Sequence, residues 1–239
     1  VPRPAAGMTA LIRGEVMRLP YRARVSLRGT SRNGRREYNR TMPDAIADAK
    51  RALRADLRER RQQRSDADRA ADAVGVATQL DALVERLGAR SVSCFLSTPT
   101  EPGTQDFIRG AVARGIRVLL PITREDGLMD WAVADPDGEI SEGLYGVPEP
   151  VGDVLSPLAV NDVDLLIVPA AAVDRTGMRM GWGRGYFDKT IGSMEQCPPV
   201  YAVVFDSEIL DAVPHDVHDQ PVTGVVTPTQ TIALAPARH

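Results

Sequence analysis

Apolar residues near the start of the chain recur at helical spacing, and this pattern predicts two long helices. Pro43 suits the first turn of a helix, and apolar residues then repeat at near-helical intervals through residues 46–57. Ser65 is a favourable capping residue, and a second apolar series at residues 76–87 ends at Gly88, a residue typical of helix C-termini. We therefore predict one helix from Pro43 and another from Ser65 to Gly88.

Downstream, the period changes to short continuous apolar runs, which are typical of buried strands. Five such runs, with a further helix at 104–115, lie at residues 91–97, 116–121, 128–135, 163–170 and 199–206. Buried strands alternating with helices predict an α/β fold: a single open, mostly parallel sheet with helices on both faces and ligands at the carboxyl ends of the strands. No Pro/Gly/Ser-rich linker interrupts residues 43–235, so we expect one catalytic domain over residues 43–239.

Residues 1–42 differ in composition from the rest of the chain. Up to Thr41 this segment holds ten arginines against two acidic residues, and it has no sustained apolar period. A basic nucleic-acid arm or an arginine-rich targeting peptide would have this composition. Because such a segment cannot support a core, we favour a disordered extension, or an artefactual one that precedes a true start at Met42.

The whole-chain composition is that of a globular protein, with 43% hydrophobic residues, 26% charged residues and a formal net charge of −3. This charge gives no general attraction to nucleic acid or to an anionic membrane. Cys94 and Cys197 form no CxxC or Cys/His pattern, which argues against a disulfide framework or a structural zinc site, and the chain has no apolar run of membrane-spanning length. We therefore expect a cytoplasmic protein without nucleic-acid or membrane partners. We also favour a monomer over an oligomer.

The segment GMRMGWGRGYFDKTIG, residues 177–192, combines glycines with arginines after the apolar strand at 163–170. A glycine-rich loop that leads from a strand into a helix lets backbone N–H groups approach phosphate oxygens, and the helix dipole adds to this attraction. Arg179 and Arg184 supply forked donors that suit phosphate, and Asp188 is placed to hold Mg²⁺. Because the pattern matches neither standard phosphate-binding fingerprint, a purely structural glycine loop stays open as an alternative.

Two pairs of polar residues have more than one interpretation. Lys50 and Arg54 stand four apart on the first predicted helix and are neighbours on one face, but arginine-rich helices commonly present such a face to solvent. His215 and His218 are three apart, which is not the spacing of a helical zinc site, so we favour a loop over a metal pair. Trp131 is expected to belong to the core.

The glycine-rich segment resembles the signature of a known enzyme family. Residues 177–189, G-M-R-M-G-W-G-R-G-Y-F-D-K, are similar to the motif G-x-R-L-G-x-G-x-G-Y-Y-D-R of the 5-formyltetrahydrofolate cyclo-ligases, also called 5,10-methenyltetrahydrofolate synthetases. Further segments resemble the family in the same order: KRALRADLRERR, FLSTPTEPGTQDFI, VLLP, EGLYGVPEP and VPHDVHDQPVTGVVTPT. Phe187 and Lys189 replace a common tyrosine and a common arginine, and Pro102 is a departure beside the family's folate-contacting glutamate.

This resemblance implies an ATP-dependent cyclisation of 5-formyltetrahydrofolate to 5,10-methenyltetrahydrofolate, with release of ADP and phosphate. It implies a sheet of the type shared with sugar-phosphate isomerases and CoA transferases, catalytic roles for Arg179 and Lys50, and Mg²⁺ at Asp188 and Asp219. The implied ATP-binding residues are Lys50, Arg54, Gly177, Arg179, Gly181, Trp182, Gly183, Arg184, Gly185, Tyr186 and Phe187. The implied folate-binding residues are Leu96, Glu101, Tyr145, Trp182 and Tyr186.

Two other functions are compatible with parts of the sequence. A relative on the same sheet could use the glycine-rich segment for another phosphate ligand, such as a sugar phosphate, and would need no nucleotide. A basic nucleic-acid-binding protein could use residues 1–42 together with the helix around RERRQQR. The second interpretation leaves the glycine-rich segment unexplained.

Overall fold

The helices follow the apolar series found in the sequence. In the computed structural model, which describes residues 32–135 and 137–234 and side chains from residue 45 onward, they are α1 (Arg32–Gln62), α2 (Asp66–Leu87), α3 (Gln105–Ala113) and α4 (Tyr186–Ser193). None of the helices in this part of the chain is both long enough and apolar enough to cross a membrane.

The start of α1 differs from the prediction. α1 begins at Arg32, so Pro43 lies inside the helix and the predicted start at Pro43 is wrong. Proline removes one backbone donor, but the arginines before it have a high helix propensity, and the helix continues through them. Of the extension predicted over residues 1–42, residues 1–31 lie outside the described part of the chain. The predicted domain limit at residue 43 falls inside α1 and stays a prediction.

Both ends of α2 form as the sequence predicted. Ser65 Oγ accepts a hydrogen bond from Asp68 N at 3.1 Å, which caps the N-terminus of the helix. Gly88 adopts a left-handed φ of 63° and donates its N–H back to the carbonyls of Val84 and Glu85. A side chain would be strained in this conformation, so Gly88 is a physical reason for the helix to end here.

The strands of the described residues form one large sheet and two small ones. They are β1 (Ser91–Ser93), β2 (Arg117–Thr123), β3 (Met129–Val133), β4 (Ile140–Glu142), β5 (Pro148–Pro150), β6 (Leu165–Pro169), β7 (Ala172–Asp174), β8 (Arg179–Met180), β9 (Val200–Val203), β10 (Ile209–Leu210), β11 (Gly224–Val226) and β12 (Thr231–Ala233). The large sheet has the order β12-β11-β9-β6-β1-β2-β3, and the small sheets have the orders β10-β7-β8 and β4-β5.

The large sheet has the predicted architecture. Its five inner strands pair in parallel, and the edge strands β12 and β3 are antiparallel. Side chains of β6 alternate between the faces: Leu165 and Ile167 pack in the core with α2 and α3, whereas Leu166 and Val168 pack in the core with Ile191 of α4. The structure therefore confirms an open, mostly parallel sheet with helices on both faces.

The main differences from the predicted strands concern length. β1 ends at Ser93 rather than at residue 97. Cys94 N still donates to Leu119 O of β2 at 2.9 Å, and residues 94–97 continue as buried chain outside the strand. The short strands of the two small sheets were not predicted, and neither were β11 and β12 of the large sheet, because two or three residues cannot show a hydrophobic period. Cys94, in the buried stretch, and the exposed Cys197 are both free thiols, and burial raises the pKa of Cys94 to about 12.

Gly75 in α2 packs against the chain that follows β11. A Cβ atom at Gly75 would lie 2.4 Å from the carbonyl oxygen of Pro228, a backbone atom that cannot rotate away. We expect Gly75→Ala to lower the free energy of unfolding by about 1–3 kcal/mol, although alanine is the better helix former. Gly110→Ala in α3 is the matched control, because its Cβ would meet only the flexible end of Arg114. Urea denaturation measures both, and a Gly75→Ala protein at least as stable as the wild type would contradict this packing.

Candidate active site

A cleft of about 840 Å³ opens at the carboxyl edge of the parallel strands. Leu96, Thr123 and Pro169 line it from positions at or just beyond the carboxyl ends of β1, β2 and β6. Residues of α1 and of the chain between β8 and α4 line much of the remainder. Open α/β sheets bind their ligands at this edge, so the cleft is the candidate active site.

The glycine loop, residues 181–185, joins β8 to α4 along the cleft. Gly183 and Gly185 have φ values of 100° and 73°, which residues with a side chain rarely adopt. The loop also passes close to α1, since a Cβ at Gly183 would lie 3.3 Å from the Arg54 guanidinium carbon. Gly185 precedes α4 directly, so the N-terminal N–H groups of α4 and the positive end of its dipole lie at the cleft. The glycine loop and the helix after it are present as predicted, but the strand that leads into the loop is the unpredicted β8, and the predicted strand at 163–170 is β6, earlier in the chain.

Arg179, in β8, places a buried positive charge at the cleft, with only 2% of its surface exposed. Its NH2 nitrogen donates to Asp188 Oδ1 at 2.8 Å, and Asp188 Oδ1 also accepts from Gln220 N at 3.2 Å. Its Nε is buried and has no hydrogen-bond partner among the described residues. Burial lowers the pKa of Arg179, and Asp188 and Asp219 offset part of this effect, so the guanidinium keeps its charge at neutral pH.

Lys50, on α1, lies between two carboxylates. Its Nζ donates to Asp216 Oδ2 at 2.8 Å and to Asp219 Oδ2 at 2.5 Å. Burial alone would lower the pKa of Lys50, but the hydrogen bonds and charges of the two aspartates outweigh it and raise the pKa above its ordinary 10.5. Lys50 is therefore a fixed positive charge at neutral pH. Asp216 was not among the predicted residues.

The cationic face of α1 continues along the helix. Arg54 Nε donates to Gly181 O at 2.8 Å, which ties α1 to the glycine loop. Arg58 also lines the cleft, and its guanidinium carbon lies 5.3 Å from the centre of the Trp182 ring. The structure thus brings Lys50 and Arg54 to one site, as predicted. Arg58 was missed, although it continues the same four-residue spacing.

The chain after β1 contributes Leu96 and Glu101, the two folate-binding residues predicted in this segment. Both line the cleft. Glu101 Oε2 accepts from Thr98 N at 2.9 Å and from Thr98 Oγ1 at 3.0 Å, and these bonds fix the orientation of the carboxylate. Pro102 follows Glu101 without removing it from the cleft. Thr98 was not predicted, because its role depends on a local turn rather than on a motif.

Two predicted tyrosines line the cleft near Arg184. Tyr145, between β4 and β5, has a φ of 64°, an uncommon value for a residue other than glycine, and it is 57% exposed. The Arg184 guanidinium carbon lies 3.6 Å from the centre of the Tyr145 ring. Tyr186 donates its hydroxyl to Arg124 O at 2.7 Å, and burial, together with Tyr145, raises the pKa of Tyr186. Tyr186 is therefore a neutral phenol at neutral pH, beside the glycine loop.

The remaining aromatic residues occupy different environments. Trp182 and Phe187, both predicted to bind ATP, line the cleft. Trp131, in β3, is fully buried, which confirms its assignment to the core.

Gly177 is the one predicted ATP-binding residue that does not line the cleft. It lies in the turn between β7 and β8 with a φ of 90°, and a Cβ there would lie 2.7 Å from the carbonyl oxygen of Val222. Its position requires glycine for the backbone conformation and the close packing. We therefore correct its predicted role from a contact with ATP to the formation of this turn.

The predicted magnesium ligands fit a metal that binds together with a nucleotide. Asp188 and Asp219 both line the cleft, beside Arg179 and Lys50. Within the described residues, no group of three or more His, Cys, Asp or Glu side chains is arranged to hold a metal. Mg²⁺ in nucleotide sites commonly takes one or two carboxylates and completes its coordination with phosphate and water. The two aspartates therefore suit Mg²⁺ delivered with a polyphosphate.

His215 and His218 lie in non-helical chain before β11, as predicted. The His215 Nδ1 is 3.1 Å from Val213 O, and His218 donates its backbone N–H to Asp216 Oδ1 at 2.9 Å. Neither imidazole lines the cleft. The histidines therefore belong to the loop that carries Asp216 and Asp219.

Known protein families and relatives match this chain over a region that includes the whole site. A family model described as the 5-formyltetrahydrofolate cyclo-ligase family matches residues 46–228. A 5-formyltetrahydrofolate cyclo-ligase of Mycolicibacterium smegmatis is 32% identical over 189 residues, which are 77% of this chain and 96% of the relative. The protein of the same name from Mus musculus is 27% identical over 191 residues, 76% of this chain and 94% of the relative.

Solved structures have the same fold. The 5,10-methenyltetrahydrofolate synthetase of Aquifex aeolicus superposes with a TM-score of 0.65 at 25% identity, covering 80% of this chain and 95% of that one. A synthetase of Mycoplasma pneumoniae, at 16% identity, gives a TM-score of 0.60 over 75% of this chain and 98% of that one. The family match runs from α1 to the segment after β11 and includes every residue that lines the cleft. The chain therefore belongs to the 5-formyltetrahydrofolate cyclo-ligase family.

Proposed function

We propose that this chain catalyses the ATP-dependent cyclisation of 5-formyltetrahydrofolate to 5,10-methenyltetrahydrofolate, with release of ADP and phosphate. The observation that carries the proposal is the convergence on one cleft of the glycine loop, the cations Lys50 and Arg179, and the carboxylate of Glu101. Membership of the family supports the folate substrate and the ligase chemistry. The nucleotide and the metal are inferred from the chemistry of the cleft.

In this proposal the polyphosphate of ATP lies along the glycine loop. Backbone N–H groups of the loop and of the first turn of α4 would donate to phosphate oxygens, and Arg179 would offset their charge. Lys50 uses two of its three N–H donors on Asp216 and Asp219, so the third would donate to a phosphate oxygen. Each aspartate keeps a second carboxylate oxygen that Lys50 does not contact.

Asp188 and Asp219 would hold Mg²⁺, which when bound neutralises phosphate charge and orients the γ-phosphoryl group. Asp188 is held in place by Arg179 and by the backbone N–H of Gln220. Arg179 therefore has two roles in the proposal: it offsets phosphate charge, and it orients a metal-binding carboxylate.

The reduced folate would bind toward the chain after β1. Glu101, oriented by Thr98, is suited to accept hydrogen bonds from N–H groups of the pterin ring. Leu96 and Met129 add apolar surface, and Tyr145 presents an aromatic face. This arrangement would place the N5 formyl group between the pterin contacts and the glycine loop.

The reaction then follows in two steps. The formyl oxygen on N5 attacks the γ-phosphorus, the bond between the γ-phosphorus and the bridging oxygen breaks, and ADP leaves. N10 adds to the carbon of the resulting iminium phosphate and loses its proton, and phosphate departs as the methenyl bridge forms. Phosphoryl transfer depends on positioning and charge neutralisation more than on covalent catalysis, which suits a cleft rich in cations and backbone donors.

Purified protein is expected to cyclise 5-formyltetrahydrofolate only when MgATP is present. The methenyl product absorbs in the near ultraviolet, so the reaction can be followed continuously. Omission of ATP, or chelation of Mg²⁺, should remove the signal. Absence of product from folded protein supplied with MgATP would overturn the proposal, and turnover of a sugar phosphate without nucleotide would favour the alternative function.

A further inference from the structure

Arg61, in the last turn of α1, is a buried charge outside the cleft. Only 2% of its surface is exposed, and it is not among the residues that line the cleft. Its Nε and NH2 nitrogens donate to the two carboxylate oxygens of Glu208, each at 2.7 Å. NH2 also donates to Ala170 O at 2.9 Å. This is the bidentate geometry in which arginine and carboxylate interact most strongly.

The Arg61–Glu208 pair joins three elements at the carboxyl edge of the sheet. Arg61 belongs to α1, Ala170 directly follows β6, and Glu208 lies in the 3₁₀ turn after β9. Glu208 is 3% exposed, and its Oε2 also accepts from Phe205 N at 2.8 Å. The pair therefore fixes where the end of α1 lies relative to two inner strands.

The same guanidinium also contacts the glycine loop. The Arg61 guanidinium carbon lies 4.8 Å from the centre of the Trp182 ring, within the range of a cation–π interaction. The Trp182 indole nitrogen is buried and has no hydrogen-bond partner among the described residues. The position of Trp182 thus depends on contacts with the faces of its ring, including those of Arg61 and Arg58.

The spacing of residues on α1 links this contact to the cleft. Lys50, Arg54, Leu57 and Arg61 recur at intervals of four, three and four residues, so they lie on one face of the helix. Leu57 is 1% exposed, which shows that this face is packed against the rest of the protein. Because a helix is rigid, fixing Arg61 fixes the rotation and axial position of Lys50 and Arg54.

Energetics favour a geometric role for the pair over a purely stabilising one. Removing two charges from water costs about as much as their attraction returns, so apolar replacements of buried pairs are often neutral in stability. Planar bidentate contacts, in contrast, fix orientation closely.

We propose that the Arg61–Glu208 pair is a positioning element of the nucleotide site. It fixes the position of Trp182 in the glycine loop, and it orients the cationic face of α1 toward the polyphosphate. The effect of the pair on catalysis rests on the proposed function. Its effect on the position of Trp182 can be measured without substrates.

Two variants test the pair while limiting the cost to folding. Arg61→Lys keeps a buried cation beside Glu208 but loses the planar fork. The double variant Arg61→Met/Glu208→Gln removes both charges and keeps an acceptor for Phe205 N. Arg114→Lys is the matched control, because Arg114, directly after α3, forms an exposed pair with Asp81 of α2 and neither residue lines the cleft.

Acrylamide quenching of tryptophan emission reports the position of Trp182. The chain has two tryptophans, and in a Trp131→Phe background Trp182 is the single reporter. If that background does not fold, the wild-type background serves, because the fully buried Trp131 is shielded from the quencher. We expect both pair variants to change the quenching of Trp182 in the absence of any ligand and Arg114→Lys to leave it unchanged.

The kinetic readout separates positioning from general stability. We expect a fall of roughly 10- to 100-fold in kcat/KM for MgATP in both pair variants, with the KM for 5-formyltetrahydrofolate little changed and the melting temperature close to that of wild type. Unchanged quenching, or kinetic losses shared equally by both substrates, would overturn the inference. An inactive wild-type protein would instead refute the proposed function, and the quenching result would still decide whether the pair positions Trp182.

Discussion

Arg179→Gln is expected to lower kcat/KM for the cyclisation about 100- to 1,000-fold while the protein stays folded. In the wild type, Arg179 is a buried cation that donates to Asp188, and its Nε is a further donor without a partner among the described residues. The variant removes the charge and the guanidinium donors. Both the neutralisation of phosphate charge and the orientation of Asp188 would be lost. Removal of a single preorganised donor in other enzymes costs 10²- to 10³-fold in kcat, which sets the expected size.

Arg175→Gln is the matched control for Arg179→Gln. Arg175 lies in the turn just before β8, and its side chain is 79% exposed and 3.5 Å from an exposed aspartate, Asp211. We expect this variant to keep wild-type kinetics. Steady-state rates at varied MgATP and folate, with a melting curve for each protein, make the comparison. Near-normal turnover by folded Arg179→Gln would remove Arg179 from the catalytic site.

Lys50→Met is expected to lower kcat/KM for MgATP about 100-fold or more. The lost charge would no longer offset the γ-phosphate, and Asp216 and Asp219 would be left as neighbouring carboxylates without their shared cation. Those carboxylates would repel a polyphosphate, so the KM for MgATP should rise as kcat falls. The KM for 5-formyltetrahydrofolate should change less, because the predicted pterin contacts lie on the chain after β1.

The control for Lys50→Met lies on the same helix. Arg60→Met removes a cation of α1 that is 60% exposed and pairs with Asp56 one turn away. It should keep wild-type kinetics, since an exposed pair of this kind contributes little and Arg60 does not line the cleft. If both variants lost activity equally, the effect would belong to the helix and not to Lys50.

The long elements and the glycine loop could be predicted because their signals are local. Ser65 and Gly88 indicate the two ends of helix α2. The apolar run at 163–170 predicts the central strand β6. The glycine loop combines backbone freedom with arginines in one continuous stretch. Lys50 and Arg54 were identifiable as neighbours, but only the fold shows that their face meets the cleft rather than solvent.

The remaining features depend on contacts between distant parts of the chain. Asp216 belongs to the site because it accepts a hydrogen bond from Lys50, 166 residues away. The sequence around Asp216 contains no pattern that predicts this contact. Arg61 and Glu208 are separated by 147 residues, so their pair was invisible to local patterns. Gly177 lies within the glycine-rich motif, yet its conformation serves a turn, which spacing alone does not distinguish from a ligand contact.

The contacts of α1 with the far end of the chain also determine when the site can form. Lys50 meets Asp219 across 169 residues, and Arg61 meets Glu208 across 147. During synthesis on the ribosome, α1 emerges early, but the carboxylate partners of these two side chains are made only with the segment after β9. Contacts of such long sequence separation close late, because the chain must first lose the entropy of the intervening loop. The cleft is therefore completed last, and a nascent chain that stops before Glu208 lacks the carboxylates that hold Lys50 and Arg61 in place.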